Sequence, residues 1–191
     1  ETDMGGLLEA HQAMQGKVAV VVGGAAGHLG RGTTLGLAKE GVRLIVCDND
    51  REGLETIVGE VEALGSSVTP IYGDVMDPAS LDAFWDQVEK LTDHIDILVN
   101  VCGGVARKLF ENTSRQDHAD NIRYNYGYHI DSCQRAIPLL KKSGNGGSIV
   151  NFTTIEAHRG AATFAVYAGA KAALTNFSRA LAVELGQHKI R

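Results

Sequence analysis

Short apolar stretches alternate with longer segments of helical periodicity along most of this chain. The apolar stretches predict five strands, at Val18–Val22, Val42–Cys47, Val68–Tyr72, Ile95–Asn100 and Ser148–Phe152. They are rich in β-branched residues and mostly lack strict alternation, which is typical of strands that helices cover on both faces of a sheet. We therefore expect successive βαβ crossovers, a parallel sheet and an α/β fold.

The segments between the strands place apolar residues on one helical face. Two clear stripes are Leu54, Ile57, Val58, Val61 and Leu64, and Leu81, Phe84, Trp85, Val88 and Leu91. Longer helical segments follow at about 116–142 and about 163–187. These segments supply the crossover helices that a parallel sheet requires.

Capping residues mark several helix boundaries. Asn49, with Glu52 three residues later, predicts a capping box. Asp77-Pro78 predicts an N-cap followed by proline at the first helical position. Gly41 and Gly65 predict C-terminal caps.

The composition is that of an ordinary globular domain, with 191 residues of which 44% are apolar and 21% charged. No repeat, low-complexity tract or linker divides it. We expect one domain over residues 16–191, preceded by an N-terminal extension over residues 1–15 that is disordered or lies outside the fold.

Charge, hydropathy and cysteine usage exclude several partners. The net charge of −5 without a long basic cluster argues against nucleic acid. No apolar run approaches the roughly 20 residues of a membrane-spanning helix, and the first residues lack a signal-peptide pattern. The three cysteines have no CxxC spacing, which argues against a disulfide framework and against a metal site. We expect a cytoplasmic protein without a membrane, nucleic-acid or metal partner.

The first predicted strand runs into a glycine-rich turn, Gly23 to Gly30, after which a helix begins. Glycine lets the backbone turn tightly, lets a pyrophosphate approach main-chain N–H groups, and lets the helix pack close to the sheet. The strand, turn and helix order therefore predicts a dinucleotide-binding site. The GxxGxxG spacing alone is weak evidence, because glycine turns commonly follow strands.

Asp48 ends the second predicted strand, which lies beside the first. An acid at this spacing accepts hydrogen bonds from the adenosine ribose, and its charge repels the extra phosphate of NADP. We therefore predict NAD as the preferred cofactor. The alternative is that Asp48 only caps a helix in an Asp48-Asn49-Asp50 turn.

Tyr167 and Lys171 are four residues apart, which on a helix places both side chains on one face. A neighbouring ammonium favours the phenolate form, so the tyrosine can exchange a proton near neutral pH. A Tyr-x-x-x-Lys spacing often arises by chance as a surface pair. Its position after the fifth strand, which ends near Thr154, strengthens the catalytic interpretation.

From Gly24 to Leu185 the sequence resembles the short-chain dehydrogenase/reductase family. The motifs that carry the resemblance follow the family's order: the glycine turn, Asp48, Asp74-Val75, Asn100-Val101-Cys102-Gly103, Asn125, Thr153-Thr154 and Tyr167-x-x-x-Lys171. The resemblance implies a Rossmann-type doubly wound parallel sheet in three α/β/α layers. It also implies an NAD(P)-dependent oxidoreductase acting on CH–OH groups, which interconverts a secondary alcohol and a ketone by hydride transfer.

The resemblance assigns a role to each catalytic residue. Tyr167 is implied to be the general acid/base, and Lys171 to assist it while holding the nicotinamide ribose. Thr154 occupies the position of the family's serine and is implied to hydrogen-bond the substrate oxygen. Asn125 is implied to anchor a water that leads protons toward the lysine.

The resemblance also implies a set of cofactor-binding residues, in which Asp74 and Val75 border the adenine and Asn100 and Gly103 support the cofactor from the fourth strand. The complete predicted set is Gly24, Gly27, His28, Leu29, Gly30, Asp48, Asp74, Val75, Asn100, Gly103, Tyr167 and Lys171.

Three departures from the family pattern affect these expectations. His28 stands where the family usually has its middle glycine, and we expect its imidazole to face solvent or to touch phosphate. Thr154 adds a methyl group to the usual serine, which narrows substrate choice or slows turnover. The sequence ends at Arg191, where family members continue into further strands and a substrate-covering loop. We therefore expect the C-terminal strands to be missing and the fifth strand to have an open edge.

Some residues have a simpler interpretation as packing or surface groups. Cys102 lies near the expected nicotinamide, but a small buried role is favoured over that of a nucleophile. Of Tyr124, Tyr126 and Tyr128 we expect two to pack in the interior. A charged, solvated loop is favoured for residues 156–159 over a polar rim of the substrate site.

Two other functions remain open for the same fold. One is a lyase or epimerase that uses the cofactor transiently, and the other is a non-catalytic nucleotide-binding protein. For all of them the partner is a small molecule, such as an alcohol or a ketone. The two long helical segments resemble those that pair between subunits in the family, which implies a homodimer or homotetramer.

Overall fold

The predicted strands form one parallel sheet with the order β3-β2-β1-β4-β5 in this computed structural model, which describes residues 14–191. Their bounds are β1 Val18–Val22, β2 Arg43–Asp48, β3 Val68–Tyr72, β4 Ile97–Asn100 and β5 Ser148–Asn151. The strand order reverses between β1 and β4, so a crevice opens at the carboxyl ends of these two strands. The sheet is the doubly wound Rossmann-type sheet that the motifs predict.

Six helices cover both faces of the sheet within the described range. They are α1 Gly27–Lys39, α2 Arg51–Ala63, α3 Pro78–Leu91, α4 Arg115–Ile122, α5 Tyr128–Lys142 and α6 Ala165–Leu185. Alternate residues of β1 belong to two different hydrophobic clusters: Val20 packs with Phe84 and Trp85 of α3, and Val21 packs with Ile57 of α2. The molecule therefore has the three α/β/α layers expected from the sequence.

The helix caps are as predicted with one exception. Asp77 accepts a hydrogen bond from the N–H of Ala79, and Gly41 and Gly65 have positive φ at the ends of α1 and α2. The capping box predicted at Asn49 is wrong, because the N-cap of α2 is Asp50, which accepts from the N–H of Gly53 at 3.0 Å. The helix starts one residue later because β2 extends to Asp48.

The long helix predicted at 116–142 is interrupted. A π-helical turn, Arg123–Gly127, separates α4 from α5. Within this turn the side chain of Asn125 forms hydrogen bonds with both the N–H and the C=O of Gly104 in the loop after β4. This long-range tie accounts for the wider helical turn at Asn125.

The outer edge of β5 is partly covered. Ile190 forms a parallel bridge with Gly147, and the N–H of Ile149 donates to the C=O of Arg191 at 2.8 Å. The open edge expected from the sequence is therefore limited to the later residues of β5, where Val150 is 42% exposed.

The predicted N-terminal extension lies almost entirely outside the described residues. Of that extension, Met14 packs against the cluster on the α1 and α2 side of the sheet. Among residues 14–191, no helix is both long and apolar enough to span a membrane. In the same part of the chain, no group of three or more His, Cys, Asp and Glu side chains is arranged to hold a metal ion.

Candidate active site

A cavity of about 950 Å³ lies at the carboxyl ends of the strands, where the strand order reverses. The predicted residues that line it are Gly27, His28, Leu29, Gly30, Asp48, Asp74, Val75 and Gly103. Its volume falls at the upper end of the range of roughly 300–1,000 Å³ that is usual for ligand and cofactor sites. The fold therefore brings most of the predicted cofactor-binding residues together on one surface.

The glycine turn holds α1 close to β1. A Cβ atom at Gly30 would lie 1.9 Å from the backbone oxygen of Gly23, so no side chain fits there. Gly27 has a φ of +66°, which favours glycine, and a Cβ atom there would meet nothing within 4 Å. Gly30 thus permits the close packing, and Gly27 provides the turn and the open space above it.

The N-terminus of α1 is suited to an anionic group. Its N-cap residue, Ala26, makes no side-chain capping hydrogen bond, so the first N–H groups of the helix are not satisfied by a side chain. Ala26, Gly27 and His28 all line the large cavity, and His28 is exposed, as expected. The unsatisfied N–H groups and the open space at Gly27 fit the pyrophosphate of a dinucleotide.

Asp48 supports the glycine turn from below. One of its carboxylate oxygens accepts hydrogen bonds from the N–H groups of Ala25 and Ala26, both at 3.0 Å, and the other accepts from the N–H of Asp50 at 3.1 Å. The carboxylate is 7% exposed and lines the cavity. Asp48 therefore forms the local turn that was considered as the alternative, and it also faces the cavity where a ribose would bind.

Asp74 and Val75 follow β3 on the far side of the cavity. The carboxylate of Asp74 accepts from the N–H of Met76 at 2.9 Å, and the C=O of Val75 accepts from Nε of Arg123 at 2.9 Å. Both residues line the cavity, as the predicted contact with adenine requires.

Three of the predicted cofactor-binding residues, Gly24, Asn100 and Lys171, line neither cavity. Gly24 packs against α1, where its C=O accepts from the hydroxyl of Thr34 at 2.7 Å. Asn100 is fully buried and bonds to Ser132 and Asn151 at 2.9 Å each. Asn100 thus joins β4, α5 and β5, and its side chain is placed away from the cavity.

Lys171 and Asn125 meet behind Gly103, which lines the large cavity, and neither of these two side chains is itself part of the cavity lining. A Cβ atom at Gly103 would lie 2.8 Å from Nζ of Lys171 and 3.0 Å from Oδ1 of Asn125. Nζ of Lys171 donates to the C=O of Phe152 at 2.7 Å. Lys171 is only 2% exposed, and burial lowers its pKa to about 8. The ammonium group thus has one short contact, to the carbonyl oxygen of Phe152, and little contact with solvent.

Tyr167 borders a second, smaller cavity of about 50 Å³. Its ring lies edge-on to the ring of Phe164, with 5.8 Å between centroids. Its hydroxyl makes no hydrogen bond to any of residues 14–191. The two cavities share the lining residues Val105, Ala106, Asp117 and Asn121. Tyr167 therefore borders a small cavity that adjoins the predicted cofactor cavity, and it does not line the cofactor cavity itself.

The hydroxyl of Thr154 donates to the carboxylate of Glu156, and the same carboxylate accepts from Arg159 at 3.1 Å. Both hydrogen bonds lower the pKa of the Glu156 carboxyl, and the bond from Thr154 has the larger effect. The side chain of Glu156 is 15% exposed. The expectation of a merely solvated loop is wrong for Glu156, because its carboxylate is held against a predicted catalytic residue.

The cysteine of the fourth-strand motif has a structural environment. Cys102 lines the large cavity, its C=O accepts from the hydroxyl of Tyr128 at 2.8 Å, and burial raises the pKa of its thiol to about 12. A thiol in this state is protonated at neutral pH and is a poor nucleophile. The interpretation of Cys102 as a packing residue is confirmed.

Sequence reasoning missed several residues of the two cavities. Tyr124 and Asn121 line the large cavity, and Phe164 lines the small one. Asn121 precedes Asn125 by one helical turn, and its C=O accepts from the Asn125 side chain at 3.0 Å, so the helical spacing was the available signal. As expected, two of the three neighbouring tyrosines pack against the core: Tyr128 is fully buried in it and Tyr124 is partly buried against it, whereas Tyr126 lies edge-on to Phe177.

Comparison with known proteins agrees with this geometry. The sequence model of the family described as short chain dehydrogenase matches residues 17–191. The chain is 31% identical over 186 residues to D-xylose 1-dehydrogenase of Caulobacter vibrioides, covering 95% of this chain and 71% of that protein. It is 29% identical over 180 residues to 2,3-dihydro-2,3-dihydroxybenzoate dehydrogenase of Bacillus subtilis, covering 94% of this chain and 68% of that protein.

A solved structure is similar over nearly the whole fold. It is 7α-hydroxysteroid dehydrogenase in complex with NADH and 7-oxo glycochenodeoxycholic acid, with a TM-score of 0.88 and 27% sequence identity. The similarity covers 95% of this chain and 71% of that one. Together with the match to the sequence model, it confirms the resemblance and the fold class drawn from the motifs.

Proposed function

Because the chain belongs to the short chain dehydrogenase family, a family of oxidoreductases, we propose that it interconverts a secondary alcohol and a ketone with NAD as its cofactor. The observation that carries the proposal is the arrangement at the carboxyl ends of the strands. A large cavity runs from the uncapped N-terminus of α1 to Gly103, against which Lys171 and Asn125 pack, and Tyr167 lies one helical turn before the lysine. The relatives named above are dehydrogenases, and one of them is solved with NADH.

The proposed chemistry assigns one task to each catalytic side chain. A bound nicotinamide would accept hydride from the alcohol carbon or return it to the ketone. Tyr167 takes the proton of the substrate hydroxyl during oxidation and returns it during reduction. Thr154 gives the reacting oxygen its second hydrogen bond. In the present arrangement its hydroxyl proton points to Glu156, so the hydroxyl must rotate to donate to substrate.

Lys171 and Asn125 support the tyrosine from behind. Lys171 lies one helical turn after Tyr167 on α6, and its ammonium group is almost fully buried. Asn125 fixes the loop at Gly104 and thereby holds Gly103 against the lysine. The two residues keep the cation behind Gly103, next to the cavity.

The preference for NAD over NADP rests on Asp48. Its carboxylate lines the cavity and is held in place by three backbone N–H groups. A fixed negative charge at this position can accept hydrogen bonds from ribose hydroxyls and repels a ribose phosphate. The selectivity for NAD over NADP then has two sources: Asp48 attracts the ribose hydroxyls of NAD and repels the ribose phosphate of NADP.

We propose a homodimer or homotetramer formed through the long helices. Support comes from α6, on which Val183 is 83% exposed. Multi-angle light scattering measures the assembly directly, and a mass of one chain across the working concentration range would refute it.

Tyr167→Phe tests the proposed function. Phenylalanine keeps the ring contact with Phe164 but removes the proton-exchanging group, so we expect turnover of secondary alcohols to fall by about 10²- to 10⁴-fold. NAD affinity in calorimetry is expected to stay within about twofold of the wild type. Turnover is followed as NADH formation with a panel of alcohols.

The matched control is Tyr72→Phe, which deletes a phenol hydroxyl from a half-exposed residue at the end of β3, outside both cavities. It is expected to leave turnover unchanged. A Tyr167→Phe protein with wild-type turnover would refute the catalytic assignment. A wild-type protein that binds NAD tightly but oxidises none of the alcohols would instead support the non-catalytic nucleotide-binding alternative.

A further inference from the structure

Arg107 places a positive charge beside the proposed proton-transfer group. It lies in the loop after β4, between Ala106 and Lys108, which both line the small cavity. Its guanidinium carbon is 5.1 Å from the centre of the Phe164 ring. The Phe164 ring in turn packs edge-on against Tyr167. Two successive ring contacts therefore connect the guanidinium to the catalytic tyrosine.

The charge of Arg107 has no carboxylate partner within residues 14–191. Two cations close to it in the site differ in this respect, since Lys108 pairs with Asp117 at 2.8 Å and Arg159 pairs with Glu156 at 3.1 Å. A guanidinium that stacks on an aromatic face keeps the N–H donors on its edge available. Arg107 is thus the cation at this site whose donors are not already used by a carboxylate of the described chain.

The small cavity has room for the reacting group of a substrate and not for a whole four-carbon acid. Its volume of about 50 Å³ compares with the roughly 30 Å³ that one water molecule occupies in the liquid. The titratable residues on its wall are the paired Lys108 and Asp117, together with His118 and Tyr167. The ring of His118 is within hydrogen-bond distance of the hydroxyl of Thr113, at 2.7 Å. Arg107 is not on this wall but lies over the Phe164 ring, so the part of a substrate that extends from Tyr167 past Phe164, outside the small cavity, would meet its unused charge.

We infer that the substrate is a short hydroxy acid, or the corresponding keto acid, whose carboxylate is held by Arg107 while its alcohol or ketone oxygen lies at Tyr167. The inference rests on the proposed function for the reacting end of the substrate. Planar guanidinium and carboxylate groups form two parallel charge-assisted hydrogen bonds, which favour an acid over a neutral group of the same shape. The stacking on Phe164 orients the guanidinium for this contact.

A binding experiment tests the carboxylate site without any turnover. Butanoate and butanamide have the same shape and differ in charge, and each is titrated calorimetrically into the protein in the presence of saturating NADH. We expect butanoate to bind the wild type about tenfold more tightly than butanamide, and Arg107→Gln to abolish that difference. Arg115→Gln is the matched control, because it removes an exposed positive charge at the start of α4, outside both cavities.

A kinetic experiment tests the same inference on the reaction. The substrates are 2-, 3- and 4-hydroxy acids of four to five carbons and their primary amides. We expect kcat/KM for at least one of the acids to exceed that for its amide by about tenfold, with Arg107→Gln removing this preference and Arg115→Gln retaining it.

The outcomes separate the inference from the proposed function. Equal binding of butanoate and butanamide to the wild type, or an undiminished preference in Arg107→Gln, overturns the carboxylate site. A drop in NADH affinity in Arg107→Gln also overturns it, because Arg107 would then serve the cofactor. Selective, Arg107-dependent binding of butanoate without oxidation of any alcohol supports the carboxylate site and refutes the proposed reaction.

Discussion

At the scale of single residues, the site is defined by where each polar group finds its partner. The hydroxyl of Thr154 is bonded to Glu156, and Nζ of Lys171 is bonded to a backbone carbonyl. The hydroxyl of Tyr167 has no partner within the described chain. The phenol is therefore the group at this site that is available to a substrate without breaking an existing bond.

Asp48→Asn tests the double role of this carboxylate. A carboxamide has one acceptor oxygen, so it can satisfy either the N–H groups of Ala25 and Ala26 or that of Asp50, but not both sides. We expect a loss of about 1–3 kcal/mol in the free energy of unfolding, measured by urea denaturation. We also expect the ratio of NAD to NADP affinity to fall by about tenfold, because the repulsive charge is gone.

Asp50→Asn is the matched control, since asparagine also caps a helix N-terminus well and Asp50 is exposed. It is expected to change stability by less than about 0.5 kcal/mol. Unchanged cofactor selectivity in Asp48→Asn would contradict the role of Asp48 in choosing NAD.

The residue scale also shows what the sequence alone can predict about a site. Tyr167, Lys171 and Asp48 were identified because fixed spacings bring them to one helix face or one strand end. The bond between Thr154 and Glu156 and the position of Arg107 over Phe164 depend on loop conformations, for which no periodicity exists. Loop geometry is set by tertiary contacts and was therefore not predictable.

At the scale of secondary-structure elements, the contact between α1 and β1 decides whether the cofactor site forms. Gly30→Ala places a Cβ atom 1.9 Å from a backbone oxygen, so the helix must move away from the strand. We expect the free energy of unfolding to fall by about 1–3 kcal/mol and NAD binding to be lost in calorimetry.

Gly32→Ala, on the same helix, is the matched control. A Cβ atom at Gly32 would meet nothing within 4 Å, and alanine is the better helix former. It is expected to raise the free energy of unfolding by about 1 kcal/mol and to leave NAD binding intact. If both alanine variants bind NAD equally well, the close packing at Gly30 is not required for the site.

The elements themselves were largely predictable, and their ends were not. β1 and β3 match their predicted bounds, whereas β4 begins two residues later than predicted, at Ile97. Strand ends depend on the neighbour with which each residue pairs, which a single sequence does not reveal. The break at Arg123–Gly127 was missed for a similar reason, because the bond between Asn125 and Gly104 joins segments far apart in sequence.

At the scale of the whole molecule, stability in acid is coupled to a buried histidine. His129 on α5 is fully buried, and neither of its ring nitrogens has a hydrogen-bond partner among the described residues. Burial, with a smaller contribution from the charge of Lys171, lowers the pKa of His129 to about 2. The folded protein therefore keeps this imidazole neutral in moderately acidic solution.

His129→Leu tests this coupling. Below a pH of about 6.5 the unfolded chain binds a proton at His129 that the folded chain does not bind. From this residue alone, the free energy of unfolding of the wild type therefore falls by about 1.4 kcal/mol for each pH unit further into acid. Leucine has a similar volume and removes both the slope and the unsatisfied polar group. We expect the variant to be more stable at pH 7 and its advantage to grow by roughly 2.3 kcal/mol between pH 6.5 and pH 4.5.

Urea denaturation at several pH values measures the effect, and His188→Leu, at an exposed position, is the matched control. The control is expected to show the acid dependence of the wild type. A constant difference between His129→Leu and the wild type over this pH range would show that the imidazole is protonated in the folded protein.

The residues shared by the two cavities offer a route by which a molecule in one cavity can affect binding in the other. Val105, Ala106, Asp117 and Asn121 face both spaces, so a molecule that shifts them on one side alters the shape of the other. If a ligand in one cavity raises the affinity of the other cavity for its ligand by some factor, the second ligand must raise the affinity for the first by the same factor. Any such cooperativity between cofactor and substrate would act through the loop after β4 and through α4, which carry the four shared residues.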